Sequence, residues 1–246
     1  PIEWLKELWS ETLQTDIYSG PVSMNSRVGV LIRKLVKALI YLAYYNIPLL
    51  LFASGIYLNT ITLTIIVLDQ IVVFGDIMIR PSTPIEDADI TTVWVGVLLL
   101  SHPFFLIMLF YEHLFLTSTL LLVLDTPVIS YIGIIVYIVG GILVLRSRTQ
   151  LGRYGDGTIA LKEDHQLLTE GIYKHIRHPL YSGGMLGRCG VGLSFRGYLV
   201  TILFVVIYFI IFRKRMEIEE QSLTSQFGEE YEEYMKRTKR LFPYIY

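Results

Sequence analysis

Long apolar stretches separated by short polar connections dominate the first 145 residues of the chain. A helix needs about 20 mainly apolar residues to cross a bilayer. The pattern therefore predicts four spanning helices, at residues 35–58, 61–79, 91–111 and 128–145. The apolar stretch 114–124 is short for a span of its own, and it leaves two alternatives. It either extends the third helix or lies at the membrane interface.

The last apolar region, residues 181–212, predicts a helical hairpin. At about 1.5 Å per residue, a single helix of this length exceeds a hydrocarbon core of about 30 Å, and two full crossings would need more residues. Arg188 and Arg196 would also be costly if they faced lipid. A hairpin that bends near residues 193–197 resolves both problems and returns the chain to the face from which it entered.

Basic residues flank the predicted helices in a consistent order. Four crossings place all of these residues on one face, and the positive-inside tendency makes that face cytoplasmic. Residues 2–9 are amphipathic, without a basic region followed by an apolar run, so we expect the first spanning helix to act as the insertion signal. The basic residues lie before the first helix, after the second and after the fourth: Arg27, Arg33, Lys34, Lys37, Arg80, Arg146, Arg148 and Arg153.

The composition supports a membrane protein. Hydrophobic residues make up 53% of the chain and charged residues only 17%, and the mean hydropathy is +0.52, which is too apolar for an ordinary soluble domain. A net charge of -1 argues against nucleic acid as a partner, because phosphate binding needs a strongly basic surface. The single cysteine, Cys189, has no clustered ligands around it, so we expect no metal site. We predict an all-α polytopic membrane protein with about four spanning helices and a helical hairpin.

Two acidic residues lie inside the second predicted helix. Asp69 and Asp76 are seven positions apart and share a helix face, and acids buried in a membrane are costly enough to suggest a function. Asp76 is close enough to the helix end to reach water. A proton or ion path would need a matching series of charged residues in the other helices, and we find none. We interpret His102-Pro103 as a kink and not as a metal site.

A polar region with several glycines, residues 146–179, precedes the hairpin, and a charged helical tail follows it. In the tail, Arg215 and Glu219 are four positions apart and share one helix face. The order of base before acid is the weaker one for an ion pair within a helix. Both side chains can therefore serve a ligand.

Five pieces of this region, in order, resemble the isoprenylcysteine carboxyl methyltransferase family and, more broadly, membrane methyltransferases that include the phospholipid N-methyltransferases. One short piece would be a weak signal, but five in the same order are a strong one. The pieces are His165-Gln166-Leu167-Leu168, Gly171-Ile172-Tyr173, Arg177-His178-Pro179-Leu180-Tyr181, Arg215 with Glu219-Glu220, and Phe227-Gly228-Glu229-Glu230-Tyr231 through Pro243.

The resemblance implies S-adenosylmethionine as methyl donor, held between the polar region and the carboxyl-terminal helix. It also implies that Glu219 meets the methionine end of the cofactor and that Arg215 faces the substrate. These roles suit the side chains, because a carboxylate balances an ammonium group and an arginine binds an anionic acceptor. The family motifs place the following residues around the cofactor: His165, Gln166, Leu167, Leu168, Tyr173, His178, Pro179, Leu180 and Tyr181.

We therefore expect two regions. Residues 1–145 would contain the amphipathic segment and the spanning helices, and residues 146–246 would form the methyltransferase region with a cofactor pocket on the cytoplasmic side. The expected reaction moves a methyl group from S-adenosylmethionine to a lipophilic acceptor from the membrane, in the first place an isoprenylcysteine-type carboxylate. The alternatives are a phospholipid amine or a small thiol as acceptor, and a non-catalytic subunit of a membrane complex. The sequence predicts no oligomeric state.

Overall fold

The computed structural model describes residues 27–55, 59–80, 93, 96–98, 100–117, 125–155 and 166–243, and this part of the chain is helical and contains no strand. The chain divides into two compact units, Pro1–Ile40 and Tyr41–Tyr246. The described part of the first unit is the beginning of one helix, and every contact discussed below lies in the second. The helices are α1 (Arg27–Phe52), α2 (Thr60–Ile79), α3 (His102–Glu112), α4 (Pro127–Leu151), α5 (Pro179–Phe195), α6 (Tyr198–Phe227) and α7 (Glu229–Arg237).

Three helices of the described part are long and apolar enough to cross a membrane, at Gly29–Phe52, Thr60–Ile79 and Pro127–Tyr154. Large apolar side chains such as Leu51 and Val128 are exposed on their outer faces, where lipid is the natural solvent. The protein is a multi-pass integral membrane protein. The predicted span 91–111 is described only in part, and a shorter apolar helix, His102–Thr117, begins inside it.

The basic flanks do not mark the helix ends as the sequence predicted. Helix α1 already begins at Arg27 and ends at Phe52, so Arg33 lies inside the helix and not before it. Helix α4 likewise continues beyond residue 145 and includes Arg148. Arginine and lysine are good helix formers, and the Nε atom of Arg148 donates to Asp76 Oδ1 at 2.7 Å. Arg33 and Arg148 mark the ends of the apolar stretches, but the helices continue past them.

The acidic residues of α2 have partners that the sequence analysis missed. Asp69 accepts a hydrogen bond from the Tyr137 hydroxyl at 2.9 Å and lies 3.1 Å from Nε2 of His102. The ring of His102 is buried against this carboxylate, a contact that its interpretation as a kink does not include. Asp76 is bonded to Arg80 and Arg148. Two ion pairs, and not only access to water at the helix end, therefore stabilise the charged form of Asp76.

Helix α3 does not end at Glu112 but continues as a π-helical turn, His113–Thr117. Of the two alternatives for the stretch 114–124, extension of the third helix is confirmed as far as Thr117. Residues 118–124 lie outside the described part of the chain.

The predicted hairpin is confirmed, with α5 and α6 as its two arms. The bend lies at Arg196, whose φ angle of 58° is left-handed, and at Gly197. The carboxylate of Glu112 accepts from the backbone nitrogens of Leu199 and Val200 at 2.7 and 2.8 Å. It therefore satisfies two of the amides that a helix leaves without partners at its beginning. The hairpin is held at its tip by α3.

Glycines let the backbones of α4 and α5 touch. A Cβ atom added at Gly190 would lie 2.5 Å from the backbone nitrogen of Tyr137, and one added at Gly133 would lie 2.4 Å from that of Ser194. Close approach at small residues is a common way for helices to pack inside a membrane. The contact fixes α5, and with it the side chains at the beginning of α5, against a spanning helix.

Candidate functional site

The segment before α5 runs beside the segment that follows α7. The backbone nitrogens of Arg177 and His178 donate to the carbonyl oxygens of Lys239 and Arg240 at 2.8 and 2.9 Å, and Ile176 forms a parallel bridge with Lys239. His178 precedes Pro179, which keeps it out of helical geometry and leaves its backbone able to make these bonds. Two parts of the family motif, far apart in sequence, are thereby joined at one end of the hairpin.

The carboxylate of Glu220 on α6 is the centre of a buried polar cluster. Its Oε1 accepts from Arg177 Nε at 2.9 Å and lies 3.2 Å from His178 Nε2. Its Oε2 accepts from Nε and Nη2 of Arg240 at 3.0 and 2.6 Å. Burial alone would raise the pKa of Glu220, but the hydrogen bonds from His178, Arg240 and Arg177 lower it to about 2. Glu220 is therefore ionised and holds both segments described above.

A second chain of polar contacts runs through Tyr181, on the first turn of α5. The Nε atom of Arg215 donates to the Tyr181 hydroxyl at 2.8 Å, and that hydroxyl donates to Glu219 Oε2 at 2.8 Å. Arg215 is buried, whereas a third of the Glu219 side chain is exposed. The hydroxyl lies between a cation and an anion, and the anion keeps one face open to a ligand.

Aromatic rings form a continuous wall beside these groups. The ring of Tyr181 stacks on His178 with centroids 5.5 Å apart, and on Phe212 of α6 with centroids 4.8 Å apart. Tyr208 meets the edge of Phe212 at 5.5 Å. The wall extends from the beginning of α5 into the apolar part of the hairpin, so it can contact both a polar and an apolar ligand.

The structure brings together four of the predicted site residues, namely His178, Tyr181, Arg215 and Glu219. His178 Nδ1 lies 3.8 Å from Glu219 Oε2, which places it between the two polar chains. The neighbouring residue Pro179 is buried and Leu180 is partly buried at the beginning of α5.

The other predicted residues lie before this point in the chain. Tyr173 is buried in the short turn Gly171–Lys174, where its carbonyl accepts from the Tyr234 hydroxyl at 2.6 Å. Burial, and next the charge of Glu219, raise the pKa of the Tyr173 hydroxyl. Gln166 is exposed, and Leu167 and Leu168 are partly buried. His165 lies outside the described residues.

Sequence reasoning missed the residues that hold the site together. Glu220, Arg177 and Arg240 form its most highly bonded cluster, yet only Glu219 of the acidic pair was assigned a role. The motif pieces contain Arg177 and Glu220, so the signal was present. Arg240 lies in the final piece, between Tyr231 and Pro243. Nothing in the local pattern shows which of two adjacent acids is buried, because the partners of Glu220 come from elsewhere in the chain.

Comparison with known proteins identifies this region. Residues 128–230 match the family model described as phospholipid methyltransferase. The family resemblance is confirmed over this stretch, which is less than half of the chain. The matched stretch includes α4, and it therefore begins before the motif pieces do.

Similar proteins are known among the isoprenylcysteine methyltransferases. A probable protein-S-isoprenylcysteine O-methyltransferase of Oryza sativa subsp. indica is 32% identical over 119 residues, which cover 48% of this chain and 62% of the relative. The protein-S-isoprenylcysteine O-methyltransferase of Schizosaccharomyces pombe is 36% identical over 83 residues, 34% of this chain and 35% of the relative. The chain thus spans less than two thirds of the length of these relatives. A solved structure of a eukaryotic intramembrane Ras methyltransferase, isoprenylcysteine carboxyl methyltransferase, aligns over 99% of this chain and 95% of its own at 16% identity, with a TM-score of 0.47.

Proposed function

We propose that this protein is a membrane methyltransferase that moves a methyl group from S-adenosylmethionine to a lipophilic acceptor, in the first place an isoprenylcysteine-type carboxylate. The observation that carries the proposal is the Tyr181 hydroxyl, which lies between Arg215 and Glu219 inside the methyltransferase region. This arrangement offers an anion for the donor and a cation for the acceptor side by side. The names of the two relatives support the choice of acceptor.

The side chains of the site fit S-adenosylmethionine. The partly exposed carboxylate of Glu219 suits the ammonium group of its methionine part, and the rings of Tyr181 and Tyr173 suit its positive sulfonium. His178, Pro179 and Leu180 would form the adjoining wall. In this proposal the residues 165–168 close the pocket from the polar region, residues 146–246 form the cofactor-binding part and residues 1–145 precede it.

For methyl transfer to a carboxylate, the protein mainly has to position the donor and the acceptor. When bound, S-adenosylmethionine supplies an electrophilic methyl group. With the donor held by Glu219 and the aromatic rings, an acceptor carboxylate would bond through oxygen to the methyl carbon as the bond from carbon to sulfur broke and left its electron pair on sulfur, so no proton would have to be removed. The guanidinium of Arg215 holds the carboxylate in line, and the aromatic wall excludes water. Tyr181 keeps Arg215 and Glu219 at a fixed separation.

We further propose that the cofactor side of the site faces the cytoplasm. The hairpin returns the chain to the face from which it entered, and the basic residues Arg213 and Lys214 are exposed on α6 after its apolar part. Positive charge is enriched on the cytoplasmic face. A water-soluble donor could then enter from that side while the acceptor arrives from the lipid.

A methyl-transfer assay tests the proposed function. Purified protein would receive S-adenosylmethionine with a labelled methyl group and one of three acceptors: a farnesylated cysteine with a free carboxylate, phosphatidylethanolamine, or a small thiol. Alkali releases a methyl ester as methanol but leaves methylated amines and thioethers intact. We expect alkali-labile label from the farnesylated cysteine only. Labelled phosphatidylethanolamine would favour the second candidate, a phospholipid amine methyltransferase, which the description of the matched family supports. If folded protein labels none of the three, the proposal is wrong.

A further inference from the structure

A second arginine lies in the hairpin, deeper in the apolar part than the site described above. Arg188 follows Tyr181 by seven positions on α5, two helical turns further along the same face. Its Nε donates to the Tyr208 hydroxyl at 3.0 Å, and its guanidinium carbon lies 5.3 Å from the centroid of that ring. Tyr208 in turn precedes Arg215 by seven positions on α6. Two arginine and tyrosine pairs therefore occupy the interface of α5 and α6.

Arg188 differs from the neighbouring arginines in its partner. Arg148, Arg177, Arg196 and Arg240 each contact a carboxylate. In the part of the chain that the structure describes, no carboxylate lies within 4.0 Å of the Arg188 guanidinium. The partner of Arg188 is instead the phenol of Tyr208, whose own hydroxyl donates to the carbonyl of Leu98 at 3.1 Å.

The carboxylate of Asp69 attracts the Arg188 guanidinium electrostatically, from a distance greater than that of an ion pair. Both oxygens of Asp69 are already engaged, one by His102 and one by the Tyr137 hydroxyl. A cation held inside a membrane without a directly bound anion is costly, and such residues are retained where they serve a ligand. A bound ligand would supply an anion in direct contact with the guanidinium, which Asp69 does not.

We propose that Arg188 binds the phosphate or carboxylate oxygen of an anionic membrane lipid whose apolar tail lies along the hairpin. Seven helical positions correspond to about 10 Å along the helix axis, so this anion is set back from the group held at Arg215. The aromatic wall of Tyr181, Phe212 and Tyr208 connects the two positions. An isoprenylcysteine carries its only carboxylate at the atom that is methylated, so this lipid is distinct from that acceptor, and the anion site does not rest on the proposed function.

Thermal unfolding in a non-ionic detergent tests the site without any methyl donor. The probes are dodecyl phosphate and dodecanol, which share one tail, with sodium laurate and methyl laurate as a second pair. We expect the phosphate or the laurate to raise the unfolding temperature of the wild type, and their neutral counterparts to leave it unchanged. Arg188→Gln should need at least tenfold more of the anionic probe for the same shift. Arg213→Gln, at an exposed arginine outside the apolar part, should respond like the wild type.

Arg188→Met separates a binding role from a structural one. Methionine keeps an apolar stem and removes the buried charge, so the ligand-free variant should unfold at a temperature equal to or above that of the wild type and should lose its response to anions. A fall in the unfolding temperature of ligand-free Arg188→Met would show that Arg188 serves the fold, and an undiminished anion response in both Arg188 variants would place the anion elsewhere. Either result overturns the inference.

The source of the anion follows from kinetics on any acceptor that the wild type methylates. A separate lipid at Arg188 predicts that dodecyl phosphate leaves the KM for the acceptor unchanged. A rise in KM with kcat unchanged would mean that the anion competes with the acceptor, and the assignment to a separate lipid would be wrong. If the wild type methylates nothing, the proposed function fails, while the unfolding measurements still decide whether Arg188 binds an anion.

Discussion

Arg177 and Glu220 form an ion pair of 2.9 Å that joins the beginning of α5 to α6. The same guanidinium donates through Nη1 to the carbonyl oxygens of Met235 and Thr238 at 3.1 and 2.5 Å. One arginine therefore contacts the hairpin, the end of α7 and the segment behind it.

Replacement of Glu220 should destabilise the whole end of the hairpin. Glu220→Gln leaves Arg177 and the partly exposed Arg240 without their anion, and breaking a fully buried pair costs about 3–5 kcal/mol. We expect a fall of several degrees in the thermal unfolding temperature in detergent. Glu233→Gln, an exposed position on α7, is the matched control and should change little. Equal unfolding temperatures for the two variants would contradict the role of Glu220.

The stabilising effect of Glu220 should depend on acid pH. Its pKa is lowered from 4.5 to about 2 in the folded protein, so its contribution is complete above about pH 4.5 and is lost as the pH falls toward 2. The unfolding temperatures of wild type and Glu220→Gln should therefore converge in this window. A gap that stays constant from pH 5 to pH 2.5 would mean that the charge of Glu220 is not what stabilises the site.

Replacement of Glu219 should affect cofactor affinity more than stability. Its carboxylate is partly exposed and accepts a hydrogen bond from the Tyr181 hydroxyl. Glu219→Gln should weaken the binding of S-adenosylmethionine by about 1.5–3 kcal/mol, the size of a hydrogen bond to a charged group. Titration calorimetry measures this directly. Glu217→Gln, on the same helix but paired with the exposed Arg213, serves as the control. Unchanged affinity in Glu219→Gln would remove this carboxylate from the cofactor site.

Arg215 should affect turnover more than cofactor binding. Arg215→Lys keeps the charge but loses the planar fork that fits a carboxylate, and it also disturbs the hydrogen bond to Tyr181. We expect a fall in kcat/KM for the acceptor of at least tenfold, with a change in cofactor Kd of less than threefold. Lys214→Ala, at an exposed neighbouring position, should behave like the wild type. A normal rate in Arg215→Ala with every acceptor would exclude a substrate role.

The glycine contact between α4 and α5 offers a test of packing. Gly190→Ala would place a Cβ atom 2.5 Å from the backbone of Tyr137, and overpacking of this kind costs about 1–3 kcal/mol. Gly184→Ala, on the same helix, would meet only the Phe212 ring at 3.8 Å and should be tolerated. The two unfolding temperatures should therefore differ, with Gly190→Ala the lower. Similar values would mean that the helices separate at little cost.

The hairpin could be predicted from the sequence because its evidence is local. The length of the apolar region and the arginines within it are enough to require a bend, and the bend lies at Arg196 and Gly197 as expected. The helix ends were less predictable. Arg148 lies inside α4 because Asp76, far away in sequence, accepts its hydrogen bond, and apolar patterning contains no information about such a partner.

In the candidate site, too, the features with a local sequence signal could be predicted, and those that depend on distant partners could not. The motif pieces brought His178, Tyr181, Arg215 and Glu219 to attention, and these four side chains are close together in the structure. The choice between Glu219 and Glu220 could not be made from the sequence, because both follow Arg215 on α6 and only the tertiary fold shows which one is buried. The two partners of Asp69 were missed for a similar reason, since His102 and Tyr137 come from two other helices.

The bonds from Arg177 and His178 to Lys239 and Arg240 also set an order of events during biosynthesis. All the helices of the hairpin have been synthesised before the residues that complete the Glu220 cluster leave the ribosome. The two arms of the hairpin are therefore synthesised while Glu220 still lacks Arg240. Capacity to bind the methyl donor should arise only after residue 240 has been released, so a nascent chain halted before that point would be inserted in the membrane yet inactive.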